Sequence, residues 1–291
     1  MVQPIRTKHR THHTPPTSLR RRQGKAHVFV LTHAGHRTKL GGQTGFDYPV
    51  VQEGTTTHFV VYYDPSLGPT GKSCADGVLA TCETDYAQTS AWFGGSDSPT
   101  LPVNVIIAAL DPSGQGGGGA FHYGCSAVDL YCDVKTVPSL DIDYTRMLVV
   151  AELVEVFEVA QNVGWDCGQS HGEGLSRVLA TALYPAQLNG YTTAAAWLDT
   201  PDRPDWVTTT NPTDQDPVSN GCAVLFLNYL NTQLGYSWAQ IAQAGAPTLA
   251  QTYTNLTGNP DGLTAFRQQL DNHFPLGRPS GVTTDNPYPL P

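Results

Sequence analysis

The amino-acid sequence predicts an α+β domain. Strand-like segments occupy the first half of the chain and helical patterns the second, an order that is typical of a sheet with helices segregated from it. We find no internal repeat that would indicate a solenoid or propeller. At 291 residues the chain can bury a single core of roughly 220–240 residues and still carry tails.

The first half contains the predicted strands and one helix. THFVVYYD (57–64) is rich in β-branched and aromatic residues and predicts a strand. ADGVLATCETDYAQTSAWFGG (75–95) predicts a helix that ends at its two glycines. LPVNVIIAAL (101–110) predicts a buried strand. GQGGGG (114–119) predicts a flexible turn before AFHYG, a short further strand.

The second half is predicted to be helical. A long apolar segment predicts a helix over 146–162, and a second helix is expected from near Gly172 to Tyr184–Pro185. Ser237, Pro247 and Pro260 stand where helix starts favour such residues. The remaining predicted helices span about 219–234, 238–244, 247–256 and 260–273.

Charge divides the chain into three regions. Residues 1–40 hold nine Lys and Arg and no Asp or Glu, whereas the remaining residues carry a net charge of −18. We predict a disordered basic segment over 1–45, a folded domain over 57–274 and a Pro-rich flexible tail over 275–291. Clustered arginines favour phosphates, but the acidic body would repel nucleic acid, so we expect no nucleic-acid partner.

The cysteines indicate an exported protein. Six Cys without a CxxC pair favour disulfides over a zinc ribbon, and we expect a secreted monomer. Cys125 and Cys132 flank a loop and form the easier pair. Cys74 and Cys82 lie about 12 Å apart along a predicted helix, too far for a disulfide. The sequence has no apolar segment of the roughly twenty residues that a membrane span needs.

Two glutamates interrupt the most apolar helix. Glu152 and Glu155 are three residues apart and therefore share one helical face. One interpretation is that they form an exposed stripe together with Glu158. The other is that they are buried, which requires pairing, protonation or a bound cation.

The segment MLVVAELVEVFEVAQNVGWDCGQSHGEG (147–174) resembles the active-site segment of gluzincin peptidases, and the resemblance extends over 57–274. AELVE occupies the place of HExxH, so Glu152 matches the water-activating Glu, while Ala151 and Glu155 replace the two zinc-binding His. Glu173 in GEGLSRVLA matches the third ligand. DQDPVSNGCAVLFLNYL (214–230) is similar to the helix that supports the cleft floor in related families.

The resemblance implies a zincin-like plan in which an edge strand lies over a cleft. It places Glu152, Glu155 and Glu173 in that cleft, with carboxylates about 4–9 Å apart, and it implies no bound zinc. Three such carboxylates would suit a hard cation such as Ca²⁺, or an acid–base pair for hydrolysis. A cleft that only binds a small molecule or polymer is the remaining alternative. His171 is expected at the surface.

GQSHG (168–172) also matches the GxSxG pattern of serine esterases, which makes Ser170 a candidate nucleophile. His273 and either Asp214 or Asp216 follow in the chain order that such enzymes use, and His122 is a second distant base. The pattern requires a strand directly before the serine, and none is predicted there. The alternative is that Ser170 caps the second helix through its hydroxyl group.

Overall fold

The structure, a computed structural model, describes residues 46–97, 100–110, 119–136, 139–190 and 192–291. The predicted basic segment 1–45 and most of the glycine-rich turn lie outside these residues. The strands are β1 (Val51–Thr55), β2 (Phe59–Tyr63), β3 (Val103–Ala108), β4 (Ala120–Phe121) and β5 (Asp129–Asp133). The helices are α1 (Gly68–Trp92), α2 (Ile142–Gln161), α3 (Ser170–Leu183), α4 (Ala194–Leu198), α5 (Pro217–Asn228), α6 (Trp238–Gln243), α7 (Leu249–Thr257) and α8 (Gly262–His273).

The five strands form one mixed sheet in the order β1-β2-β3-β5-β4. β2, β3 and β5 run parallel, and the antiparallel strands β1 and β4 form the two edges. A mixed sheet followed by a helical half confirms the α+β prediction. The sequence analysis missed β1 and β5, because VQEGT and DLYCD carry polar residues that weaken the strand pattern.

The helix α1 is longer than predicted. It begins at Gly68, after a 3₁₀ turn over Pro65–Leu67 in which the Asp64 side chain accepts a hydrogen bond from the Ser66 amide at 2.8 Å. Pro69 lies in the first turn of the helix, where a missing N–H costs nothing. The predicted start at residue 75 was therefore late by about two turns.

The helix α2 forms the centre of the core. The Asp141 side chain caps its start by accepting from the Tyr144 amide at 3.2 Å, and Asn162 ends it with φ of 52°. Every residue from Met147 to Glu158 is buried, and α2 packs against both α1 and α3. A helix buried on all sides places any acidic side chain in its middle inside the protein.

The C-terminal segment 275–291 was predicted to be a flexible tail, and the structure corrects this prediction. The carboxylate of Asp285 accepts from the backbone amides of Thr193 and Ala194 at 2.7 and 2.8 Å. The Leu290 side chain is buried, and its amide donates to Gln233 Oε1 at 2.8 Å. Five prolines removed the helical periodicity, but they did not prevent packing.

Within the described residues, the helices are too short or too polar to pass through a lipid bilayer.

Candidate functional site

Glu152 and Glu155 point into the protein. Both side chains are 0% exposed, and Glu158 one turn further along α2 is equally buried. The interpretation of these glutamates as an exposed amphipathic stripe is therefore wrong. Buried carboxylates require compensating partners, so the neighbouring side chains determine what this region does.

The partner of the two α2 carboxylates is His122, which follows the edge strand β4. Its Nδ1 lies 2.7 Å from the backbone oxygen of Ala127, and because a carbonyl only accepts, Nδ1 is the donor. Its Nε2 lies 3.1 Å from Glu155 Oε2 and 3.9 Å from Glu152 Oε2. The imidazole ring therefore faces both carboxylates, in the way a bound cation would.

The electrostatics of His122 reflect this position. Burial alone would lower its pKa, but the hydrogen bond with Glu155 and the negative charges of Glu152 and Glu155 outweigh burial, so that the pKa is raised above its ordinary value. The raised pKa favours the imidazolium form.

Glu173 has a partner on its own helix. It lies in the first turn of α3 and is 0% exposed, and Arg177 donates from Nε to Glu173 Oε1 at 2.5 Å. The two residues are four apart, the spacing at which side chains meet on a helix. Arg177 is itself buried, so this is an interior ion pair and not a surface one.

The helices α2 and α3 approach closely at the start of α3. A Cβ atom at Gly172 would lie 2.2 Å from the backbone oxygen of Asp166 and 2.8 Å from Glu158 Oε2. Only glycine fits this contact. The carboxylate of α2 that reaches the start of α3 is thus Glu158, which the sequence analysis did not include among the site residues.

The residues present do not fit a peptidase zinc ion. Zinc in such sites takes imidazole ligands, but the two expected His positions carry Ala151 and Glu155. A hard cation held by Glu152, Glu155 and Glu173 would have to displace His122 and Arg177 from their carboxylates. Both positively charged side chains are already within ion-pair distance of them.

The residues of the predicted serine triad contact other parts of the chain. The Ser170 hydroxyl accepts from the Asn211 amide at 3.1 Å, and the Ser170 amide donates to the Asn211 oxygen at 3.0 Å. His273 is the last residue of α8, and its ring centroid lies 4.6 Å from that of Phe274. The backbone oxygen of Asp214 accepts from Asn220 Nδ2 at 2.8 Å.

The predicted capping role of Ser170 is also wrong. Gln169 is the N-cap residue of α3, and its side chain makes no capping hydrogen bond. The Ser170 hydroxyl instead binds the Asn211 amide, which holds the segment around Asn211 against the start of the helix. Asp216 caps α5 by accepting from the amides of Val218 and Ser219, both at 3.2 Å. Asp216 thus serves as the N-cap of α5.

His171 was expected at the surface and is instead 1% exposed. Its Nε2 donates to the Gly164 oxygen at 3.0 Å, and its ring stacks on Trp165 with centroids 5.6 Å apart. Burial lowers its pKa. Its Nδ1 is buried and has no hydrogen-bond partner among the described residues.

The cysteines form one disulfide, between Cys125 and Cys167, with Cα atoms 5.8 Å apart. The predicted Cys125–Cys132 pair is wrong, because Cys132 lies on β5 and points into the core. The expectation that Cys74 and Cys82 do not pair is confirmed, since both are free and lie on α1. Cys132 and Cys222 are also free and buried.

No family model matches the sequence, and no curated protein matches it. The function must therefore be argued from the site alone. The sequence analysis found the three carboxylates but not their partners His122 and Arg177. Arg177 had a readable signal in its spacing from Glu173, whereas His122 becomes a neighbour of Glu155 only through the fold.

Proposed function

We propose that this protein is a non-peptidase domain on the zincin-like scaffold, and that it binds a polypeptide without hydrolysing it. The observation that carries the proposal is the internal pairing of the carboxylates at the zinc-ligand and base positions. Glu152, Glu155 and Glu173 are fully buried, and they meet His122 and Arg177 within the protein.

Burial and pairing argue against catalysis by these groups. A general base must come within about 3 Å of the proton that it removes from the substrate. Side chains with no exposed surface and with cationic partners already in place offer no such approach. His122 with Glu155 does resemble a base oriented by a carboxylate, which is the observation that favours hydrolysis as the second candidate.

The ligand class follows from the edge of the sheet and from the charge. Within the described residues β1 pairs only with β2 and its residues are exposed or half-buried, so its other side offers backbone groups to an added strand. Residues 41–291 hold seven Lys and Arg against twenty-five Asp and Glu, which favours a positively charged partner. An extended basic polypeptide meets both conditions, and it is also the ligand shape that a peptidase cleft accepts.

The test uses the oxidised, purified chain and two labelled peptides of equal length, one rich in Lys and Thr and one rich in Glu and Thr. Fluorescence anisotropy measures binding, and mass spectrometry of the same samples measures cleavage. We expect the basic peptide to bind, more weakly as salt rises, and to stay intact. The Glu152→Gln variant should behave like the wild type.

Two variants at the exposed sheet edge test the docking position. Gln52→Pro removes a backbone donor from β1, whereas Gln52→Ala shortens the same side chain and keeps the donor. We expect only Gln52→Pro to lose peptide binding, with near-ultraviolet circular dichroism showing that both variants fold. Equal binding by both variants would rule out the β1 edge.

Two outcomes would replace binding with hydrolysis. Cleavage of a peptide, ester or glycoside that is lost in Glu152→Gln would make the carboxylates catalytic. Ester cleavage that is lost in Ser170→Ala would support the serine esterase alternative. Absence of both binding and cleavage with either peptide would refute the binding proposal.

A further inference from the structure

A second set of donor atoms lies beside the disulfide, on the side of His122 that faces Glu155. His122 Nε2, a Glu155 carboxylate oxygen and Cys167 Sγ all lie within 4.8 Å of one another, and all three residues are buried. Cys125 and Asp166 satisfy the same limit with Cys167. The two groups share Cys167, whose bond to Cys125 joins the β4–β5 loop to the α2–α3 loop.

The His122 ring is oriented as metal-binding histidines are. Its Nδ1–H is held by the backbone oxygen of Ala127 at 2.7 Å, so that Nε2 is the nitrogen directed at the other donors. A hydrogen bond of this kind to the second ring nitrogen fixes the tautomer and the ring plane in metal sites. His122 and Cys125 are also three apart on one loop, where Gly124 turns the chain with φ of +66°.

The donor set matches zinc in type and in spacing. Tetrahedral zinc binds nitrogen and sulfur at 2.0–2.3 Å, which places ligand atoms about 3.3–3.8 Å apart. For His122, Glu155 and Cys167 the limit of 4.8 Å requires a contraction of about 1 Å, whereas Cys125 Sγ must move toward His122 and Glu155 once its bond to Cys167 is broken. Thiolate and imidazole donors favour zinc over Ca²⁺ or Mg²⁺, which prefer oxygen ligands.

In the oxidised protein neither sulfur is a thiolate, because Cys125 and Cys167 are bonded to each other. We propose that reduction of this disulfide converts the corner into a zinc site, with His122, Cys125, Cys167 and Glu155 as the ligands. The site shares Glu155 with the peptidase-like positions, whereas Ala151, Glu152 and Glu173 take no part in it. It also stands whether or not the proposed peptide binding is correct.

The reaction needs a two-electron reductant, either a phosphine, which takes oxygen from water while the two water protons pass to the cysteines, or a dithiol. Two electrons from the dithiol break the Sγ–Sγ bond, its two thiol protons pass to Cys125 and Cys167, and the reductant becomes a disulfide. Zinc then displaces both thiol protons, and His122 binds through Nε2.

The test compares the full chain before and after reduction by a phosphine that is then removed without air. Equilibrium dialysis against Zn²⁺ with elemental analysis gives the stoichiometry, and Co²⁺ substitution reports thiolate ligation by its absorption. We expect one equivalent of zinc in the reduced protein and none in the oxidised protein. Cys222→Ser is the matched control, because Cys222 is a buried free thiol on α5 and should leave zinc binding unchanged.

Three ligand variants make the proposal falsifiable even where reduction weakens the fold. Cys125→Ser leaves the Cys167 thiol free without any reductant, and it should bind zinc more weakly than the reduced wild type. Cys167→Ser and His122→Gln should each lose the bound equivalent. The proposal is overturned if folded reduced protein and Cys125→Ser both bind no zinc, or if Cys167→Ser and His122→Gln retain it.

Discussion

The buried charges at the two ends of the candidate site are balanced in different ways. Glu173 is paired by Arg177, one turn away on the same helix, with a guanidinium that stays charged at any pH the protein meets. Glu155 is paired by His122, which lies 33 residues earlier and reaches it from the end of β4. The first pair forms wherever α3 forms, whereas the second exists only when sheet and helix are assembled correctly.

This difference teaches where the site is robust and where it can change. The Glu173–Arg177 pair lies within one helix, and because the guanidinium stays charged, the pair has no second protonation state. An imidazole held by a carboxylate can release its proton and can exchange its partner for a metal ion. The His122 end is accordingly the one on which the proposed zinc site depends.

The largest expected effect is at the Arg177 end. Arg177→Met leaves the Glu173 carboxylate buried without its guanidinium, and breaking a buried pair in this way costs about 3–5 kcal/mol. Urea unfolding monitored by circular dichroism measures the loss. Combining the change with Glu173→Gln should restore most of the stability, because neither member of the broken pair then leaves a charge in the interior.

Lys72→Met serves as the control for Arg177→Met. Lys72 pairs with Glu53 and Asp76 at the surface, where solvent screens the charges, so we expect Lys72→Met to leave the stability almost unchanged. If Arg177→Met cost no more than Lys72→Met, the Glu173 pair would not be the interior contact described above.

A smaller effect is expected at the His122 end. In His122→Gln the side-chain amide can still donate to Glu155, but the positive charge is lost, so we expect a loss of about 1–3 kcal/mol. The same urea titration measures it. A loss larger than that of Arg177→Met would reverse the comparison and make His122 the dominant charge in the core.

His171 can be compared with His122, because it is also a buried histidine but its ring donates to a carbonyl oxygen. Its lowered pKa means that the folded protein prefers the neutral ring. Its contribution to stability is therefore fully present above the unfolded pKa of about 6.5, and it falls as the pH drops from there through the folded value.

We expect the stability difference between wild type and His171→Gln to change with pH below about 6.5, by about 1.4 kcal/mol for each unit by which the pKa is lowered. Unfolding free energies at a series of pH values measure this. A difference independent of pH would show that His171 does not change protonation on folding.

The sequence predicted the local features of this fold and missed those that depend on assembly. The helix around Glu152 and Glu155 and the strand around Val105 follow from hydrophobic runs that are visible in the sequence. The burial of the glutamates could not be decided, because a spacing of three fits both an exposed stripe and an interior face. Their histidine partner depends on the register of β4 against β5.

The missed disulfide and the packed C-terminal segment have the same explanation. Cys167 is 42 residues from Cys125, and nothing near either cysteine indicates the other. Asp285 reaches amides more than 90 residues earlier in the chain. Contacts over such separations follow from how helices pack, and the sequence pattern around each residue carries no record of that packing.

The central claim is that His122 and Arg177 take the places that a cation would occupy beside Glu152, Glu155 and Glu173. The most direct test is elemental analysis of the oxidised protein after dialysis, with the disulfide verified by thiol titration and the melting temperature recorded with and without a chelator. We predict no stoichiometric zinc, calcium or magnesium and an unchanged melting temperature. One retained equivalent of metal, with a melting temperature that falls on chelation, would contradict the claim.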